Sequence, residues 1–290
     1  MNKILRTIIV WSVLGCMFAG LPTTAKAQKV VFPQQKQAGV ATLKCNAKNF
    51  TLANSLLQAS YSVVNGTLRF NGCKAMDLMP SADLFRIGLA DRTEFSSQDM
   101  KLASVTTENY AADPKAAKGS ERFRGKGVKA VFTRGDLRVE WRAVLRDGSH
   151  YLRTEMSISS GKDVRMDHIV PMIYAVDVRK AKSVPRVVGN TRGAALLSSK
   201  LFAGLETPMG VNTNNLDSAD IANINSRDMV KMEGNWVRHT TLKAGKTWTV
   251  SSVVGLVAKG QQRRSFLAYS ERERAAAWHP MTIYNSWYEL

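Results

Sequence analysis

The stretch from residue 137 to residue 145 constrains the fold of this chain more than any other part of it. Apolar and charged residues alternate along it, and only Val144 is out of phase. The apolar set is Leu137, Val139, Trp141, Ala143 and Leu145. Because successive side chains of a β-strand point to opposite faces, this pattern predicts a strand with one buried face and one wet face. Such a strand belongs in an antiparallel sheet that packs on a core.

Short strands separated by Gly-containing turns recur along most of the chain. Asn65-Gly66 lies between two alternating runs and favours a type I′ hairpin, because both central residues of that turn need positive φ. Further strands are predicted at residues 151–158, 169–178, 236–242 and 247–258. Residues 196–202 are open between a helical turn and a strand, and the polar stretch 205–226 is typical of a loop. The fold class is therefore predicted to be mainly β, a large antiparallel β-sandwich.

Residues 1–27 have the organisation of a signal peptide. Lys3 and Arg6 form a basic n-region, residues 8–14 form an apolar h-region, and Ala25-Lys26-Ala27 is an A-x-A cleavage signal. This predicts an exported protein, periplasmic or extracellular, whose mature form begins at Gln28. The apolar run is too short for a membrane-spanning helix. The alternative is lipid attachment at Cys16, since residues 13–16 loosely resemble a lipobox, and no membrane association is expected otherwise.

Removal of the signal peptide leaves two cysteines, Cys45 and Cys73. Disulfides persist in exported proteins, so a bridge between these two residues is predicted. The alternative is that both are unpaired and buried as small apolar side chains.

The excess of basic residues gives a formal net charge of +18, of which the signal peptide contributes three charges. A basic protein can attract nucleic acid, anionic membranes or anionic glycans. No nucleic acid is expected as a partner of an exported protein, so the anionic partner to consider is a sulfated or acidic polysaccharide. The alternative is that the Lys and Arg residues are scattered over a solvated surface.

Sequence motifs that carry chemistry are absent from the chain. It has no HExxH, P-loop, GxGxxG or GxSxG sequence. The four histidines lie far apart and lack metal-ligand spacing. The carboxylates show no setting that marks a glycosidase pair. The sequence therefore predicts no catalytic residue within the chain, no metal site and no cofactor.

The composition changes near residue 261. Residues 261–277 contain no Gly or Pro and are rich in Arg, Glu and Ala, which predicts a helix. This helix is expected to bury Phe266, Leu267 and Tyr269 and to turn the charged run 271–274 to water. An aromatic strand at 283–288 follows. A strand that is apolar on both faces is typical of a parallel sheet or a barrel.

Three segments carry a resemblance to a known family. They are residues 145–153 (Leu-Arg-Asp-Gly-Ser-His-Tyr-Leu-Arg), residues 204–209 (Gly-Leu-Glu-Thr-Pro-Met), and the tail, where 263–274 leads to 284–290 (Tyr-Asn-Ser-Trp-Tyr-Glu-Leu). Together they resemble the N-terminal half of secreted bacterial glycoside hydrolases of the α-galactosidase group. In that group a galactose-mutarotase-like β-supersandwich precedes a (β/α)₈ barrel, and a linker helix joins them. The resemblance implies a supersandwich over 28–260, then a linker helix and the first strand of a missing barrel over 261–290.

The resemblance also implies candidate site residues. Asn285, Trp287 and Tyr288 would contribute to the sugar pocket of the full-length enzyme. From the residues alone, Trp278 and Trp287 are both open between ligand contact and core packing. The catalytic carboxylates of the family lie on later barrel strands and cannot be placed on this chain. Glu206 lies in the second matching segment, where its role could be structural. The other tryptophans singled out, Trp141, Trp236 and Trp248, are expected in the core.

These observations predict a non-catalytic, carbohydrate-associated domain of a secreted glycoside hydrolase acting on α-galactoside-like glycans. Its partners would be a glycan or oligosaccharide and the missing C-terminal barrel. One alternative is a free-standing exported carbohydrate-binding protein. A third hypothesis, a binder of anionic polymers, uses only the positive charge and ranks last.

Overall fold

Antiparallel strands dominate the computed structural model of the protein, which describes residues 30–177, 179, 183–216 and 229–276. The strand predicted from alternation is present as β9, Leu137–Arg146. Its five predicted inward residues and Val144 are all buried. The predicted mainly β sandwich is confirmed.

The first sheet has four strands in chain order. They are β1 (Thr42–Asn46), β2 (Asn49–Ala53), β3 (Gln58–Val64) and β4 (Thr67–Gly72). The turn between β3 and β4 has Asn65 at φ 52° and Gly66 at φ 76°. Both values are positive, so the predicted hairpin is confirmed.

The second sheet has eight strands in the order β12-β13-β14-β17-β10-β9-β8-β7. Besides β9, its members are β7 (Lys101–Tyr110), β8 (Gly125–Arg134), β10 (Tyr151–Ser160), β12 (Arg186–Val187), β13 (Leu196–Leu197), β14 (Leu201–Leu205) and β17 (Thr247–Leu256). The stretch 196–202, which the sequence left open, contains β13 and the start of β14.

The third sheet has five strands in the order β15-β16-β11-β5-β6. They are β5 (Arg86–Leu89), β6 (Glu94–Ser96), β11 (Val164–Asp177), β15 (Val211–Asn214) and β16 (Met229–Leu242). β15 lies inside the predicted loop 205–226. It forms because residues 211–214 pair with β16, a partner far away in sequence.

The remaining elements are helical. An α-helix, α1, covers Gln262–Glu273 and confirms the predicted helix, although the described helix is shorter than 261–277. Short 3₁₀ helices lie at Lys74–Met76, Ser97–Asp99 and Gly119–Arg122.

One hydrophobic core joins the three sheets. Tyr61 of β3 contacts Trp141 of β9 at 5.4 Å between ring centroids. Phe70 of β4 contacts Tyr174 of β11 at 5.6 Å. Offset and edge-to-face ring pairs of this kind add to the free energy gained by burying apolar area. Trp141 is therefore a core residue, as predicted.

The predicted disulfide is wrong for this structure, because Cys45 and Cys73 are both free thiols. Cys45 lies exposed on β1, whereas Cys73 is buried just after β4. The sheet order places two strands between β1 and β4, so three inter-strand spacings, about 14 Å, separate them. A disulfide needs Cα atoms within about 7 Å. Only Cys73 fits the alternative of a buried, unpaired cysteine.

Candidate functional site

The three sequence segments that carry the family resemblance meet at one place in the fold. The segment 145–153 supplies Tyr151 and Arg153 from β10, and the segment 204–209 supplies Glu206 just after β14. The tail supplies Tyr269 and Glu273 from α1. We call these five residues the Arg153 junction. It ties the helix to the second sheet.

Arg153 is the centre of the junction. Its Nε and Nη2 atoms bind the two carboxylate oxygens of Glu206, each at 2.7 Å. Its Nη2 also lies 2.6 Å from Oε2 of Glu273. The three side chains are only 5%, 12% and 14% exposed. A planar guanidinium between two carboxylates gives strong, directional hydrogen bonds, which a lysine could not reproduce.

Hydroxyl groups satisfy the rest of this ionic cluster. Nη1 of Arg153 donates to Ser120 Oγ at 3.0 Å, and that hydroxyl donates to Oε2 of Glu273 at 2.8 Å. The hydroxyl of Tyr269 donates to Oε1 of Glu206 at 2.6 Å. The hydroxyl of Tyr151 donates to Oε1 of Glu273. Buried charges are tolerated only when they are paired and hydrogen-bonded in this way.

The electrostatics agree with this geometry. Burial alone would raise the pKa of the Glu206 carboxyl, but the hydrogen bonds and charge of Arg153 and the Tyr269 hydroxyl hold that pKa below its ordinary value. Burial, the charge of Glu206 and the hydrogen bond to it raise the pKa of Tyr269. Burial would lower the pKa of Arg153, but Glu206 and Glu273 outweigh it and raise that pKa. The junction therefore holds a charged Arg153 and an ionised Glu206 with a neutral Tyr269.

The expectation that the charged run 271–274 faces water is wrong in part. Glu273 is only 14% exposed and is paired in the junction, and the guanidinium of Arg272 lies 4.0 Å from the ring centroid of Phe123. Nη2 of Arg272 also donates to the carbonyl of Asp147. Leu267, expected to be buried, is 39% exposed. The helix therefore presents a polar as well as an aromatic face to the sheet.

His150 anchors the same helix from the neighbouring position on the chain. Its Nε2 lies 3.0 Å from the carbonyl oxygen of Ser265 in α1 and donates to it. Its ring stacks on Phe32 with centroids 4.2 Å apart and an interplanar angle of 17°. The side chain is buried, and burial lowers the pKa of His150 to about 4. The imidazole is therefore neutral at pH 7 and acts as a hydrogen-bond donor.

The aromatic part of the contact centres on Phe202 of β14. Its ring lies 5.4 Å from that of Phe266 and 5.3 Å from that of Tyr269, both on α1. Across the sheet, Phe202 pairs with Gly255 of β17. A Cβ atom added to Gly255 would collide with the Phe202 ring. Because Gly255 has no side chain, the Phe202 ring can lie over it and still contact α1.

Gly255→Ala is expected to destabilise the protein by about 1–3 kcal/mol, because overpacking pushes Phe202 against α1. Urea unfolding measures this loss. Phe202→Leu in the same chain should recover part of it, since the two sites are in contact and their effects are not additive. Gly161→Ala is the matched control, because its added Cβ would make only ordinary contacts, the nearest at 3.6 Å. Equal effects of the two glycine substitutions would contradict this account.

The Arg153 junction is suited to positioning rather than to chemistry. Every charged group in it is paired, and its carboxylates are largely shielded from solvent. Retaining glycosidases hold two carboxylates across a sugar ring, about 5–5.5 Å apart, and here a guanidinium occupies the space between the two. The junction therefore fixes α1 on the sandwich.

The predicted sugar-pocket residues Asn285, Trp287, Tyr288 and Trp278 lie outside the described residues. Their roles stay predictions. Trp236 and Trp248 are half-buried against the core, with ring centroids 6.2 Å apart. Among the described residues, no group of three His, Cys, Asp or Glu side chains could hold a metal ion. The same part of the chain contains no helix with the length and apolar character of a membrane span.

Comparison with known proteins identifies similar folds. No protein-family model and no curated protein sequence matches the chain. The galactosidase domain of an α-galactosidase–sucrose kinase matches with a TM-score of 0.50 and 10% identity, over 76% of this chain and 42% of that one. An α-N-acetylgalactosaminidase from Bifidobacterium bifidum matches with a TM-score of 0.45 and 14% identity, over 82% of this chain and 38% of that one. A galactose 1-epimerase from Lactobacillus acidophilus matches with a TM-score of 0.40 and 12% identity, over 78% of this chain and 100% of that one.

The chain spans about two fifths of the length of the two glycosidases it matches. At 10% identity, the likeness to the galactosidase domain shows a common fold. This common fold confirms the predicted resemblance to the sandwich region of such enzymes as a resemblance of fold.

Proposed function

We propose that this chain is the N-terminal, non-catalytic domain of an exported glycoside hydrolase that acts on α-galactoside-like glycans. Its fold is shared with a galactosidase domain of which it covers 42%. Its partners are then a glycan and a C-terminal barrel that carries the catalytic carboxylates. Asn285, Trp287, Tyr288 and Trp278 would line the sugar pocket of the complete enzyme.

The observation that carries the proposal is the Arg153 junction. A helix packed against the second sheet could be held by aromatic contacts alone, such as those of Phe202. Here it is also held by three charges that are largely shielded from solvent. A buried ion pair is a weak source of stability and can serve to specify one arrangement. A linker helix needs one fixed direction, because it positions the next domain. A free-standing carbohydrate-binding protein, the alternative, has no such need.

Export is part of the proposal and rests on residues 1–27. Their basic start, apolar run and Ala25-Lys26-Ala27 signal favour cleavage before Gln28. The protein would then act in the periplasm or outside the cell, where polysaccharide substrates occur.

One experiment tests these points together. Expressed with its leader in a bacterium, the protein should be recovered from the periplasm or the medium with Gln28 as its first residue. The purified protein should hydrolyse neither aryl α-galactosides nor aryl α-N-acetylgalactosaminides. Turnover that survives repurification would disprove the non-catalytic role. Retention of the uncleaved chain in the cytoplasm would disprove export.

A further inference from the structure

A cleft of about 870 Å³ lies beside the first sheet, far in sequence from the Arg153 junction. Its walls come from the β2–β3 connection, the end of β4 and the segment around the 3₁₀ helix Lys74–Met76. This volume is within the range of about 300–1,000 Å³ that is usual for small-ligand sites.

The rim of the cleft carries polar groups without protein partners. The amide of Gln58 and the ammonium group of Lys74 have no hydrogen-bond or ion-pair partner among the described residues, and both residues are exposed. Asn71 uses its Oδ1 to accept from Ser62 at 2.9 Å, which orients the amide and leaves its two N–H donors available. Such a rim offers several donors and an amide acceptor to a ligand.

One lining residue of the cleft, Asp77, belongs to an ion pair. Asp77 pairs with the ammonium group of Lys200, and the Asp77 side chain is only 13% exposed. Asp77 has φ 53°, in the left-handed region that few residues other than glycine adopt. The carbonyl oxygen of Asp77 accepts from the backbone N–H of Asp177 at 3.3 Å. The carboxylate is therefore held in place as an acceptor at the edge of the cleft.

The floor of the cleft is apolar. Leu57, Cys73 and Leu78 line it and are buried. Gly72, at φ 109°, brings the wall close, because a Cβ there would lie 2.7 Å from the carbonyl oxygen of Leu78. An apolar floor under a rim of amides and an ammonium group fits a ligand with C–H surfaces and many hydroxyl groups.

We propose that this cleft is an oligosaccharide-binding site, in which Gln58, Asn71 and Lys74 hydrogen-bond sugar hydroxyl groups. The inference rests on the proposed function and gives the domain its own glycan contact, apart from the sugar pocket of the barrel. A neutral and an acidic sugar share the hydroxyl chemistry. They differ in whether Lys74 binds a hydroxyl group or a carboxylate.

Calorimetry with stachyose, an α-galactosyl oligosaccharide, and with digalacturonic acid tests the site. The double variant Gln58→Ala/Lys74→Ala should weaken binding of the preferred sugar about ten-fold or more, since each lost hydrogen bond is worth a few-fold in affinity. Lys44→Ala is the matched control. Lys44 lies exposed on β1 and does not line the cleft. Thermal unfolding checks that both variants fold as the wild type does.

Hydrogen exchange supplies a second readout. Bound sugar should slow exchange at residues 54–60 and 71–80 in the wild type and have no such effect in the double variant. Unchanged affinity in the double variant, with wild-type binding intact, would overturn the cleft and leave the proposed function standing. Failure of the wild type to bind either sugar would also overturn the cleft, whereas the proposed function is tested separately by export and by the absence of turnover.

Discussion

Replacing Arg153 with alanine is expected to lower the free energy of unfolding by about 3–5 kcal/mol. The substitution leaves Glu206 and Glu273 buried, with 12% and 14% of their side chains exposed, and without their cationic partner. Uncompensated carboxylates in such a setting cost several kcal/mol, or take up protons instead. Urea unfolding followed by far-UV circular dichroism measures the loss.

Two further variants make the Arg153 result specific. Arg138→Ala removes an arginine from the adjacent strand β9. Arg138 forms an ion pair with Glu140, and its side chain is 48% exposed. This substitution should lower the free energy of unfolding by at most about 1 kcal/mol. Arg153→Lys keeps the charge but loses the two parallel hydrogen bonds to Glu206, so its effect should lie between those of the two alanine variants. A loss below 1 kcal/mol for Arg153→Ala would show that the junction contributes little.

Local signals in the sequence predicted much of the fold. The alternation at residues 137–145 predicted β9, the dipeptide Asn65-Gly66 predicted the hairpin between β3 and β4, and composition predicted α1. Each of these depends on residues close together in the chain. The periodicity of a strand and the φ values of a turn are properties of a few neighbouring residues, so a single sequence carries them.

Features that depend on distant pairing were missed. β15 exists because residues 211–214 add to the edge of β16, and nothing in its polar sequence indicates a strand. The disulfide prediction failed for the same reason. Cysteine count and export favour a bridge, but only the order of the strands shows that β1 and β4 are not neighbours.

The Arg153 junction combines residues in locally predicted elements with contacts between distant parts of the chain. Arg153 and Glu206 both lie inside segments that carry the family resemblance, but 53 positions separate them and no periodicity links them. Arg153 follows two apolar residues in β10, and its burial arises because α1 covers the sheet at that point. Two signals were available in the sequence: a basic residue within a predicted strand, and a predicted helix rich in Glu that could pair with it. The cleft gave none, because its lining comes from two separate segments, residues 54–60 and 71–80, and from Asp177.

Acidification from pH 7 to pH 5 is expected to destabilise the protein by about 2 kcal/mol through His150 alone. Burial lowers the pKa of this imidazole to about 4, although the Ser265 carbonyl partly opposes the shift, whereas the ordinary value is 6.5. Between these two values the unfolded chain binds a proton that the folded protein does not. Stability from this group is therefore complete above pH 6.5 and is lost progressively as the pH falls towards 4.

His150→Phe isolates this contribution. Phenylalanine can keep the stacking on Phe32 and the edge contact with Phe202, but it cannot donate to Ser265, which should cost about 1 kcal/mol at every pH. Urea unfolding of both proteins at a series of pH values should give parallel curves above pH 7, where His150 is neutral in both states. Between pH 7 and pH 5 the wild type should lose about 2 kcal/mol more than the variant does. If the two proteins lose the same stability over that interval, a neutral, buried His150 does not hold α1 on the sandwich.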